Sequence, residues 1–125
     1  MVRRIFPSFA AAVIAGCLGL GVWSASAQNS QTRIALVVGN GAYSPAPLQN
    51  SLNDAGLVGE ALRSVGFEVI EGADLGQADF VRSFRDFLSK AEAAGPDAVA
   101  FVYFSGYGFA FEGDNYLVGV DAKRY

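Results

Sequence analysis

The chain has 125 residues, 52% of them hydrophobic and 13% aromatic, with nine basic and twelve acidic side chains and no histidine. That length allows one domain at most, and the composition is that of a folding chain rather than a disordered one. The acidic balance argues against nucleic acid as a partner. A single cysteine, Cys17, and the lack of histidine exclude a self-contained cysteine–histidine catalyst.

Residues 1–27 read as a cleaved secretory signal: Arg3 and Arg4, an apolar run from Ile5 to Trp23, and the small-residue end Ala25-Ser26-Ala27. Pro7 and three glycines dilute the run, so cleavage after Ala27 is expected rather than a retained span. The expected location is exported, periplasmic or secreted. An alternative exit is a lipoprotein box, Ile14-Ala15-Gly16-Cys17, although the apolar stretch Leu18 to Trp23 is unlike a polar tether. Either route leaves no free thiol and no mature disulfide. Without Arg3 and Arg4, seven basic side chains face twelve acidic ones, a formal charge of −5.

Residues 28–32 are a short polar tail. Ile34 to Val38 is a continuous apolar run closed by Gly39, the pattern of a parallel strand covered on both faces. Residues 40–49 hold Gly41, Ser44, Pro45 and Pro47 and predict a loop. Leu48, Leu52, Ala55, Val58, Leu62 and Val65 recur at helical spacing, with Asn50 as a cap and Gly66 as a stop. Phe67 to Ile70 predicts a second strand, and Gly72 to Gly76 a turn. Phe80, Phe84, Phe87, Leu88 and Ala91 predict a second helix ended by Gly95-Pro96. Ala98 to Phe104 carries no charge and predicts a third strand buried on both faces. A hairpin follows, with strands at Phe109 to Phe111 and Tyr116 to Val120 around a Glu112 to Asn115 turn.

Strand, helix, strand, helix, strand predicts an α/β sheet with ligands at the carboxyl ends of its strands, where the 40–49 loop and the Ser105 to Gly108 turn lie. Gly39-Asn40-Gly41 is not a dinucleotide fingerprint, because Ser44 replaces the third glycine and the helix is delayed. A phosphoacceptor receiver domain would need carboxylates where this chain has Gly39 and Ser105.

Tyr103-Phe104-Ser105-Gly106-Tyr107-Gly108, with the hairpin ending Asn115-Tyr116-Leu117-Val118-Gly119-Val120-Asp121-Ala122, resembles the caspase-like cysteine peptidases (peptidase family C14, caspases and metacaspases). Arg33 to Asn40 with Ala42-Tyr43 is similar to the family's first strand and its Gly-Asn-x-x-Tyr loop, and Leu48 to Ala55 to the start of its first helix. The resemblance implies a caspase-like three-layer sandwich over residues 33–125, the amino-terminal part of the p20 half. Strands in the order 2-1-3 and a hairpin are present, and later strands absent.

The resemblance also implies two vacancies. Tyr107 stands at the position of the catalytic histidine, and a phenol is a poor proton acceptor at neutral pH where an imidazole is well matched. The cysteine position, on a fourth strand, is not reached before Tyr125. Gly108 matches the glycine that gives an oxyanion N–H, and Asp54 matches a carboxylate that in metacaspases receives a basic substrate side chain. Asp54 has a plainer explanation too, since a carboxylate in a first helical turn is favoured by the backbone dipole. Tyr43, Tyr103 and Tyr116 are read as packing residues.

The expected function is therefore a catalytically inactive pseudo-peptidase that binds a peptide or protein. The alternative is half of an Arg/Lys-specific cysteine endopeptidase completed by a further segment or chain. Neither a cofactor nor a metal is implied. The third strand is expected to have an open edge. A fragment, an oligomer or second chain completing the sheet, and capping by the chain's own hairpin all remain open.

Overall fold

The computed structural model describes residues 31–123. The leader, its cleavage site and the Cys17 box lie outside the described residues. Strand β1 (Arg33–Gly39) is the centre of the molecule, and every residue from Ile34 to Gly39 is buried. Its apolar side chains alternate between two cores. Ile34, Leu36 and Val38 face Phe87 with Ile70, Leu75, Phe80 and Phe104, whereas Ala35 and Val37 face Ala55 with Val58, Leu62, Val69 and Tyr103. A strand that fills two cores has to be apolar at successive positions, which is why it reads as a run rather than an alternation.

Helix α1 (Ser51–Ser64) and helix α2 (Gln77–Ala94) cover those two faces. Strands β2 (Glu68–Ala73) and β3 (Val99–Ser105) pair in parallel on either side of β1, giving the order β2-β1-β3. Two crossovers that run in opposite directions along a sheet and share one hand deliver their helices to opposite faces. The result is the three-layer α/β arrangement expected from the sequence. Gly39 lets α1 approach: a Cβ there would stand 2.6 Å from the Ser51 carbonyl oxygen and 2.8 Å from the Ala55 Cβ.

Several boundaries differ from the expected ones. Leu48 does not begin α1, because its N–H bonds the Gly41 carbonyl and closes the loop instead. Asn50 occupies the cap position without a side-chain cap bond, whereas Gly66 ends the helix at positive φ as expected. β2 runs three residues past Ile70, because Glu71, Gly72 and Ala73 continue the ladder with Val37, Val38 and Gly39. The glycine reads as a turn, but the neighbouring backbone holds it in the sheet.

β3 is not buried on both faces. Phe101 and Val102 are 40% and 44% exposed. α1 packs across all three strands, whereas α2 lies over β1 and β2 and reaches β3 at Phe104, against which Phe80 packs edge-on. Strand β4 (Gly108–Phe111) and strand β5 (Asp114–Leu117) form a separate two-stranded sheet, so the hairpin does not cap the β3 edge. Its turn is two residues long, Glu112-Gly113, both at positive φ. That is the tight hairpin turn whose twist suits the flanking strands, and it replaces the four-residue turn expected. Among the described residues no helix is long and apolar enough to cross a membrane.

Candidate functional site

The site is built at the carboxyl ends of β1 and β3, where the strand order reverses. Asn40, the first residue after β1, is completely buried. Its backbone N–H bonds the Ser105 carbonyl at 2.8 Å, tying the ends of the two strands together. Its side chain accepts from the Leu75 N–H at 2.8 Å and donates to the Leu75 carbonyl at 3.0 Å and the Val118 carbonyl at 3.4 Å. One amide therefore joins the β2–α2 connection and the segment after the hairpin. A primary amide carries its acceptor and its donors on separate atoms, and so meets both backbone groups of Leu75 at once.

Asp74 holds the next stretch of loop. Its backbone is at φ 52°, and its carboxylate accepts from the N–H of Gly41 at 2.7 Å and of Ala42 at 2.8 Å. Aspartate is among the few residues that adopt this conformation readily. Tyr43 then turns inward and is buried. Its hydroxyl donates to the Val118 carbonyl at 2.8 Å and accepts from the Tyr107 N–H at 3.1 Å. The Tyr43 and Tyr107 rings meet edge to face, with centroids 4.7 Å apart. Gly106 leaves room for this contact, since a Cβ there would stand 2.5 Å from the Tyr43 hydroxyl.

Tyr107 itself is 39% exposed, and its own hydroxyl makes no hydrogen bond among the described residues. It borders an open cavity of about 490 Å³ lined by Tyr43, Pro45, Tyr107, Phe109, Val118 and Lys123, among others. Among the described residues, Lys123 is the one charged side chain of the lining. Gly108 opens β4 opposite Leu117. The Val118 N–H donates to the Tyr107 carbonyl at 2.9 Å, so 107 and 118 are a bonding pair. Antiparallel alternation then makes 108 and 117 a non-bonding pair, and the Gly108 N–H points away from β5.

A model of the caspase domain (peptidase family C14) matches residues 32–125. The chain belongs to the caspase domain family. No curated protein matches it. The caspase domain match spans the sheet, both helices and the hairpin, and so every residue of the site.

Within this caspase domain the expected site residues separate. Tyr107 lines the cavity at the β3–β4 turn, and Gly108 follows it as the first residue of β4 without lining the cavity itself. Asp54 is exposed in the first turn of α1, and it is not among the residues that line the cavity. Among the described residues, no three His, Cys, Asp or Glu side chains are grouped to hold a metal. Asn40, Asp74 and Asp121 were not foreseen as site residues. Asp121 accepts from the Gln77 N–H at 2.9 Å and so anchors the post-hairpin segment to the start of α2. An aspartate set among glycines, as in Gly72-Ala73-Asp74-Leu75-Gly76, was the available signal for Asp74.

Proposed function

We propose that this caspase domain has no peptidase activity of its own and acts by holding an extended peptide or protein segment in the cavity beside Tyr107. The observation that carries the reading is the Tyr107 ring packed on Tyr43 at the cavity wall, taken with the sequence resemblance that aligns Tyr107 with the family's catalytic histidine. In a chain without histidine, no imidazole is available to take a proton from a nucleophile. The outward N–H of Gly108 supports backbone recognition, because an extended peptide lying along β4 would find a donor there. Apolar walls suit its side chains, and Lys123 suits a carboxylate rather than the basic side chain that Asp54 suggested.

The test has two arms. The protein is incubated with fluorogenic Arg- and Lys-containing peptides, and no hydrolysis above background is expected. It is then applied to an array of extended octapeptides, where capture of a subset is expected and capture of none counts against binding. A second reading, a half-peptidase completed by another chain, is favoured by the open edge of β3. Hydrolysis that appears only on adding cell extract, and disappears on changing Gly108, would support it. Export is part of the proposal: mass spectrometry of the protein from its native host is expected to find Gln28 as the first residue.

A further inference from the structure

The base of the hairpin carries an irregularity that packing alone does not require. At a bonding pair of an antiparallel ladder the two residues exchange both N–H···O=C bonds. At 107 and 118 only one is made: the Val118 N–H reaches the Tyr107 carbonyl, but the Tyr107 N–H goes to the Tyr43 hydroxyl. The Val118 carbonyl, its natural partner, accepts from that same hydroxyl at 2.8 Å. A phenolic oxygen can accept one bond while donating another, and so it stands in the rung as an inserted link.

We propose that Tyr43 is a positioning residue, a wedge whose hydroxyl holds open the last rung of the hairpin by taking the N–H of the Gly106–Tyr107 peptide, and thereby sets the course of the backbone into Gly108. Three features are arranged around the wedge. Gly106 leaves the space for the hydroxyl, Asp74 grips the N–H groups of Gly41 and Ala42 just before Tyr43, and the Tyr107 ring lies against the Tyr43 ring. The loop after β1 thus sets the course of the backbone into Gly108, whose N–H the ladder geometry turns away from β5. The use of that donor by a ligand rests on the peptide-binding reading above; the wedge does not.

The experiment compares the protein with Tyr43→Phe, which keeps the ring and removes the oxygen. Among nitrogen–carbonyl couplings across hydrogen bonds, measured by NMR, the one from the Val118 nitrogen to the Tyr107 carbonyl is expected in the native protein, whereas the one from the Tyr107 nitrogen to the Val118 carbonyl is expected to be absent. In the variant that second coupling appears as the rung closes, and exchange of the Tyr107 amide slows by about tenfold. A coupling from the Tyr107 nitrogen to the Val118 carbonyl in the native protein, or an unaltered Tyr107 amide in the variant, overturns the wedge. If the variant does not fold, the native protein decides: its Tyr43 hydroxyl proton must show an Overhauser contact with the Tyr107 amide. For an octapeptide captured by the native protein, Tyr43→Phe is expected to weaken binding about tenfold. Equal affinity overturns the positioning role, whereas a native protein that captures nothing refutes the peptide reading and leaves the NMR result to judge the wedge.

Discussion

At the scale of single residues, Asn40 does more than any other polar side chain to hold the site. Replacing it with alanine leaves the Leu75 N–H without its acceptor in a part-buried place, whereas the Leu75 carbonyl keeps the Val120 N–H. At about 1–3 kcal/mol for one unsatisfied group, Asn40→Ala is expected to cost about 1–3 kcal/mol in urea denaturation. Asn40→Asp makes a sharper test. An ionised carboxylate there would be desolvated and would face the Leu75 and Val118 carbonyls, so the folded state raises its pKa. A raised pKa gives stability that is present at low pH and lost as pH rises. Asn40→Asp is therefore expected to be more stable at about pH 4 than at about pH 7 relative to the native protein. A parallel pH dependence of the two proteins would remove the argument. Little of this was legible in the sequence. Asn40 sits between two glycines, like any loop asparagine, and its partners lie 35 and 78 positions away. Tyr43 was legible as a packing residue, but the hydroxyl bonds that give it a second task depend on where Val118 and Tyr107 fall.

Elements were easier to read. β1 follows from five consecutive apolar residues, and α2 from phenylalanines at helical spacing with a glycine stop. What local patterns missed were effects of neighbouring chain: β2 extended by its ladder with β1, and β3 left half open at the outer edge of the sheet, where no further strand pairs with it among the described residues. The start of α2 is another such case. Gly76 occupies the cap position and has no side chain to offer, and the Gln77 N–H is met by Asp121 from beyond the hairpin. Asp121→Ala is expected to cost about 0.5–2 kcal/mol, the usual worth of a cap. Hydrogen exchange should quicken at the Gln77 amide while the middle of α2 keeps its protection. Uniform loosening of the helix would instead mean that Asp121 supports more than its first turn.

For the whole molecule, the sheet presents one edge that lacks the usual defences. β3 has no charge, proline or bulge, and its outer backbone has no neighbour among the described residues. Val102→Lys places a charge on that strand at a side chain already 44% exposed. Light scattering is expected to show less self-association of the variant at equal concentration, with the melting temperature little changed. Unaltered association would locate the sticky surface elsewhere, with the exposed Phe109, Phe111 and Tyr116 of the hairpin next to be tried. The buried amide at the end of β1 also has a consequence in time. Contacts between near positions close early, and those that span long stretches of chain close late, because the loop entropy must be met first. β1, α1 and β2 can assemble from their own neighbourhood, but Asn40 waits for Val118. The cleft is thus expected to be the last part of the molecule to form, although the residue at its base is among the first of the domain to be synthesised.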